Sequence, residues 1–439
     1  MNTRTLRKAA LYVALGACLG AMTMPVAMAQ SATGAVAGRA SAGDQVTVTH
    51  VATGATRTVT ASSDGAYRLT QLPVGDYRLQ LLRNGQPVGE GATVNVSLGG
   101  TTTVNLGAEG GVANLDAIEV VGNRIINRVD VFSTETATNI NREELARMPV
   151  DQSLTSVALL APGVIRGNSG FGGISFGGSS VAENSVFING LNVTDFYRRQ
   201  SFSTAPFAFF DQFQVKTGGY SVEFGRSTGG VINAVTRSGS NEFHGGVEFT
   251  FEPSAWTATA EDHLFSAVDG DGIAASATYR SSHDRTSFLK ANAWASGPLI
   301  RDRLFLFAMY EQRQTGSGYT NSSGSTWSNG DSDNGFWGAK LDWNITDNHR
   351  LELLAFSDEA ETNTSVYGYN FATRTVGSLT GETTAESGGK NGSATYIGHF
   401  GENFTAKAMY GVNRSSGLSY SPADGVCSQV LIDSSYNAT

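Results

Sequence analysis

Charge is scarce in this chain, and so are cysteine and proline. Only 16% of its 439 residues are charged, with 2 Cys and 9 Pro. Cys18 falls inside an N-terminal export segment, which leaves Cys427 alone. An intramolecular disulfide is then excluded, even for an oxidising destination. The six His are dispersed and show no zinc-ligand spacing. No segment after the N-terminus is long and apolar enough for a spanning helix, so any membrane insertion must use strands. A net charge of -9 argues against nucleic acid as the main partner. His-Glu-x-x-His, P-loop and nucleophile-elbow motifs are all missing, and the sequence offers neither a catalytic constellation nor a cofactor site.

Glycine is plentiful, at 53 residues. Glycine-, serine- and threonine-rich sequence with scattered aromatics suits β-hairpins, and a soluble all-β protein would share much of it. The first residues read as a signal peptide over 1–29. Arg4, Arg7 and Lys8 are basic, Ala9 to Ala21 is apolar, and Ala27-Met28-Ala29 precedes Gln30 as a small-x-small cleavage site. A lipoprotein reading through Cys18 would leave an apolar remnant on the mature chain and is the weaker one.

Residues 30–107 read as a β-sandwich. Val46 to His50, Thr56 to Thr60, Tyr67 to Leu69 and Tyr77 to Leu81 alternate in polarity. Turn chemistry separates them at Gly54, Asp64-Gly65, Pro73 to Asp76 and Asn84-Gly85. Ser63 to Leu69 followed by Leu72 to Tyr77 resembles the carboxypeptidase regulatory-like module, which is not enzymatic here.

Residues 108–122 read as a glycine-rich linker running into Leu115-Asp116-Ala117-Ile118-Glu119-Val120-Val121. An extended, β-branched segment of this kind can add its backbone to a partner sheet. Over 123–240, Asn141 to Met148 predicts an Asn-capped helix stopped by Pro149. Asp151 to Leu160 predicts a second helix, ended by Pro162-Gly163. Strands follow at Ile174 and at Val186-Phe-Ile-Asn-Gly-Leu-Asn-Val-Thr-Asp195. Tyr220 to Arg237 reads as a Gly-punctuated strand pair.

The last two stretches resemble the plug domain of TonB-dependent outer-membrane receptors, of the Oar-like subclass that carries a carboxypeptidase regulatory-like domain. The resemblance implies several things. Leu115 to Val121 is a TonB box, or else the first strand of the plug. Phe196, Tyr197, Arg198 and Arg199 are ligand-contact residues on the plug apex, or pack the plug against the barrel wall. Gly218, Gly219, Gly225, Gly229 and Gly230 are structural glycines of the plug, permitting tight turns and close approach. Glu223 and Arg226 are a structural pair.

From 241 to 439 the texture becomes alternating hairpins. Phe243, Val247, Phe249 and Phe251 share one face, with His244, Glu248, Thr250 and Glu252 on the other. Ser287 to Ser296 is expected to pair with Leu304 to Glu311, Phe336 to Ile345 with Arg350 to Asp358, and Thr395 to Phe400 with Thr405 to Val412. Asp331 to Gly335 reads as a hairpin loop, since it lacks the downstream Glu of a calcium loop. The count is about seven or eight strands. A plug needs a barrel of about 22. An eight-stranded barrel is filled by its own side chains.

The expected fold is mostly β: an N-terminal β-sandwich, an α+β plug domain, and the first strands of an incomplete transmembrane antiparallel β-barrel, an N-terminal fragment of a receptor. The implied function is active transport across the outer membrane of a Gram-negative bacterium, with the sandwich in the periplasm. Its partners would be TonB, outer-membrane lipid and an extracellular ligand of unread identity. The alternatives are a surface adhesin and a fragment without function of its own.

Overall fold

A computed structural model describes residues 32–106, 112–113, 118–121, 124–127, 135–145, 147, 154–167, 173–195, 203–258 except 222 and 226, 263–269, 272–278, and 283–422 except 322–323 and 402–403. The expected signal peptide lies outside these residues.

The first unit packs two sheets. Its strands are β1 (Thr33–Arg39), β2 (Gln45–His50), β3 (Thr56–Thr60), β4 (Ala66–Pro73), β5 (Gly75–Arg83), β6 (Gln86–Val96), β7 (Thr101–Thr103) and β8 (Asn105–Leu106). One sheet runs β4-β1-β7, and the other carries β6-β5-β2-β3. Period-two alternation decides which side chains meet. Val46 and Val48 of β2, Tyr77, Leu79 and Leu81 of β5, and Val94 and Val96 of β6 point inward against Val36, Leu69 and Leu72. The expected strands are all present, and β4 and β5 extend beyond them.

β8 pairs with β9 (Val112–Ala113). Then β10 (Ile118–Val121) folds back on β11 (Arg124–Asn127). β11 lies parallel to β6, so both strands extend the first unit's larger sheet.

The central unit is a five-stranded sheet, with β12 (Thr136–Asn141), β15 (Ser185–Ile188), β16 (Leu191–Asn192), β17 (Phe210–Gly218) and β18 (Val231–Thr236) in the order β12-β17-β18-β15-β16. β13 (Val164–Arg166) and β14 (Ile174–Phe176) form a separate hairpin. The Asn-capped helix is present as Arg142–Leu145, shorter than predicted. Its start is a capping box: Glu144 N–H donates to Asn141 Oδ1 (2.8 Å), and Asn141 N–H donates to Glu144 Oε2 (3.0 Å). The second helix is Leu154–Ala158. Tyr220 to Arg237 is not the expected strand pair. Its described residues contain only β18, whose partner β17 comes earlier, because turns and bends take up residues 223–225 and 228–229.

The last unit is a ten-stranded antiparallel sheet of long strands. It comprises β19 (His244–Glu252), β22 (Arg285–Ile300), β23 (Leu304–Thr320), β24 (Thr326–Thr346), β25 (His349–Ser357), β26 (Ala360–Asn370), β27 (Thr375–Gly388), β28 (Lys390–Phe400), β29 (Phe404–Asn413) and β30 (Ser416–Tyr420). β20 (His263–Asp269) and β21 (Gly272–Thr278) form a hairpin apart from it. The sheet does not close: β19 and β29 are not bonded to each other. The three expected hairpins form with tighter turns, and all their strands but β25 are longer than expected. β22 and β23 pair up to Ile300↔Leu304, and β24 and β25 up to Thr346↔His349. Asp331 to Gly335 is not a loop. It sits inside β24, paired with Gly316 to Gln312 of β23, because the backbone ladder continues through residues that favour turns.

The two faces of this sheet differ. Phe243 (81%), Val247 (71%) and Phe249 (72%) are exposed on the outer face, the alternation expected of lipid-facing strands. The inner face of β23 buries Phe305, Phe307, Met309 and Glu311, and the central unit packs on it.

Candidate functional site

The central unit is seated against the inner face of the sheet by one aromatic cluster and two ionic ones. Phe209, just before β17, meets Phe336 (5.1 Å between centroids), Phe356 (5.8 Å) and Phe307 (6.2 Å). Gly338 on β24 leaves the room, since a Cβ there would meet the Phe209 ring. Beside it the Arg237 guanidinium lies 3.5 Å from the centroid of Trp294. Burial lowers the Arg237 pKa to about 10.

The first ionic cluster centres on Glu311, which is fully buried. Arg313 Nε lies 2.5 Å from its Oε1, and Lys290 Nζ 3.4 Å from its Oε2. Arg313 reaches across the seam, donating from Nη2 to the carbonyl of Thr204 (2.9 Å). In the second cluster, Lys340 Nζ is 3.2 Å from Glu352 and Arg350 Nη2 is 3.1 Å from it. Asp342 pairs with the same Arg350. Two bonds cross to the central unit. Asn189 Nδ2 donates to Glu352 Oε1 (2.7 Å), and Lys340 Nζ donates to Ser238 Oγ (2.9 Å). Asn189 also accepts from the Thr236 N–H (2.8 Å), tying the β15 turn to the end of β18. Its φ of +49° is one that Asn tolerates. Further along, Thr204 N–H donates to Asp358 Oδ2 (2.9 Å), and Asn413 Nδ2 donates to the Asn192 carbonyl (3.1 Å). Within these two clusters each charge has an opposite partner, as desolvation requires.

Among the singled-out glycines, Gly230 and Gly229 are pinned by contact. A Cβ on Gly230 would enter the Phe176 ring, and one on Gly229 would lie 2.5 Å from Ser179 Oγ. Gly219 has φ +66°, while Gly218 faces open space. Gly225 lies in a turn between β17 and β18. Phe196, Tyr197, Arg198 and Arg199 lie outside the described residues, as do Leu115, Asp116, Ala117 and Arg226. Ile118, Glu119, Val120 and Val121 are β10 itself. The seam residues were not singled out by sequence reasoning. The one available signal was the charge on the inward positions of β24 and β25.

A cavity of about 520 Å³ opens at the short-turn end of the sheet. His50, Tyr77, Arg237, Trp294, Arg350 and His399 are among its lining, so all three units contribute.

Residues 130–231 match the family model of the TonB-dependent Receptor Plug Domain. The chain carries a TonB-dependent receptor plug. Residues 32–109 match the Carboxypeptidase regulatory-like domain. A curated relative, the TonB-dependent transporter Oar of Myxococcus xanthus, is 32% identical over 320 residues, covering 70% of this chain and 28% of Oar. The chain thus spans little more than a quarter of that relative's length. Among solved structures, the siderophore receptor PirA from Acinetobacter baumannii is 17% identical, with TM-score 0.39, over 62% of this chain and 39% of that one. A mutant ferric enterobactin receptor, PfeA from Pseudomonas aeruginosa, solved with enterobactin, is 16% identical, with TM-score 0.40, over 62% and 40%.

Proposed function

We propose that this chain serves TonB-dependent active transport of a solute across the outer membrane of a Gram-negative bacterium. One observation carries the reading: the plug is wedged against the inward face of a sheet whose outward face is apolar. It is held there by the Phe209 aromatic cluster and by hydrogen bonds to ion clusters, not by continuous strand pairing. A seal of that kind can be broken and remade within a fixed wall.

The orientation follows from the turns. Outer-membrane barrels keep short turns on the periplasmic side and long excursions outside. The short β22–β23 and β24–β25 turns lie at the cavity end, beside the sandwich. The sandwich (30–107) is therefore periplasmic, after removal of a signal peptide (1–29). The linker and box (108–122) follow, then the plug (123–240) and barrel strands (241–439). Leu115 to Val121 is the box, taken up by TonB as an added strand. Phe196, Tyr197, Arg198 and Arg199 contact the ligand from the plug apex. No reaction is catalysed, because the work comes from the inner-membrane proton gradient through TonB. The ligand class is open, since this scaffold serves many solutes.

The test uses Val120→Cys and Val120→Pro in the native outer membrane. Val120→Cys, in a Cys427→Ser chain, should form a disulfide with a cysteine placed in the periplasmic domain of TonB when energised cells are treated with copper-phenanthroline. Proline at the same position removes a backbone donor and should prevent co-purification with TonB. Unchanged co-purification of the proline variant would sink the reading and favour an adhesin, for which the box is irrelevant.

A further inference from the structure

We propose that the N-terminal sandwich is a gate across the short-turn mouth of the barrel, released by the same pull that moves the plug. The inference rests on the transport reading above.

Two turns dock the sandwich. The first is Ser97 to Gly100, directly after β6. Leu98 N–H donates to Gln212 Oε1 (3.1 Å), and Gln214 Nε2 donates back to the Leu98 carbonyl (2.7 Å). Both glutamines are buried on β17. Gly99 permits this approach: its φ is +66°, and a Cβ would fall 2.6 Å from Gln214 Oε1. The second is Ala52 to Gly54, after β2. Asn241 N–H donates to the Ala52 carbonyl (2.8 Å), and a Cβ on Gly54 would fall 2.8 Å from Asp302 Oδ1. Asp302 lies in the β22–β23 turn and is itself held by Asn241 Nδ2 (2.7 Å). One turn grips the plug; the other grips the junction of plug and barrel.

This contact is polar. The sandwich keeps its own apolar core, separate from the core that plug and barrel share. Between them lies the cavity of about 520 Å³, with Asp211 and Thr236 to Ser240 of the plug on one side and Val48 and His50 to Ala55 of the sandwich on the other. Polar inter-domain contacts with separate cores favour relative motion. A solute leaving the plug at this end enters a chamber that the sandwich bounds.

The box strand supplies the handle. β10 pairs with β11 from Ile118↔Asn127 to Val121↔Arg124. β11 pairs with β6 at Arg124↔Thr93 and Ile125↔Val94. β6 then runs straight into Leu98. Load applied to β10 reaches the docking turn through one sheet. Among the described residues the outer edge of β10 is unpaired, so a partner strand can add there without melting the hairpin.

The test is a staple across the second turn. Ala52→Cys with Asn241→Cys, in a Cys427→Ser chain expressed from its own locus, is oxidised briefly with copper-phenanthroline. Cells are kept in their own spent medium, with or without a protonophore. The staple should form in de-energised cells and fall severalfold in energised ones. Gln212→Ala with Gln214→Ala should lower it in de-energised cells as well. A reference pair inside the sandwich, Thr47→Cys with Thr58→Cys, replaces hydroxyls 2.9 Å apart and should oxidise equally in both states if the domain is folded. Equal staple yields in both states, or no staple in either, overturn the gate. If the Val120→Cys cross-link to TonB persists while the staple is insensitive to energy, the gate fails and transport stands. If that cross-link is lost, the transport reading itself fails.

Discussion

The sandwich interior and the plug seam are both buried and both hold apolar clusters, but only the seam adds ion clusters to them. The sandwich closes on Val36, Val46, Val48, Leu69, Leu79 and Val94, a run of side chains without charge. The seam buries Glu311, Lys340 and Asp342 and half-buries Arg350 and Glu352, and a plug amide and hydroxyl bond to Glu352 and Lys340. An apolar core tolerates no opening without losing its driving force. The polar part of the seam loses less, because both partners of each ion pair stay on the sheet and the groups that the plug uncovers regain hydration. Under the proposed transport function, the difference separates a unit that only has to stay folded from one that has to come apart and reseat.

The sharpest break of that comparison is Glu311→Ala. It leaves Lys290 and Arg313 beside each other without the carboxylate between them, at a cost of about 3–5 kcal/mol. Proteolysis of the plug in outer-membrane vesicles should detect this as faster cleavage, with the sandwich unaffected. Replacing Lys290, Glu311 and Arg313 together by apolar residues should recover most of the loss. Next is Leu79→Ala in the sandwich core, which should cost about 2–5 kcal/mol through the cavity left behind. Urea unfolding followed by amide exchange in β5 should show it there and not in β17. The capping box is smaller: Asn141→Ala should cost about 0.5–2 kcal/mol, read as faster amide exchange at Glu144.

The last prediction concerns pH. His50 packs edge-on against Tyr77 (4.8 Å) and bonds Thr53, and burial holds its pKa below the ordinary value. The folded domain therefore binds that proton less readily than the unfolded chain. Its contribution to stability is full above the usual histidine pKa of about 6.5 and is lost as pH falls below it. His50→Gln should flatten this dependence in urea titrations. An unchanged slope would contradict the assignment.

Much of this fold was legible because period-two alternation survives in single sequences. Phe243, Val247, Phe249 and Phe251 needed no structure to be placed on one face. The Asn141 cap was equally plain, although the helix behind it is one turn. Strand ends were not legible. Asp331 to Gly335 carries turn residues, yet β23 pairs with it throughout, and pairing partners do not show in local composition. The seam was hidden for a related reason: Asn189 and Glu352 lie 163 residues apart, and nothing in either neighbourhood points to the other. Gly230 was visible as a glycine position, but only the Phe176 ring explains it.

The seating of the plug is tested most directly by one cysteine pair. Asn189→Cys and Glu352→Cys replace the two ends of a 2.7 Å hydrogen bond that crosses the seam. In isolated outer membranes of the native host, without TonB or energy, this pair should oxidise nearly completely and hold plug to barrel on denaturing gels after proteolysis between them. A pair that stays reduced under the same oxidant, in protein that reaches the outer membrane, would show that the plug does not sit against this wall.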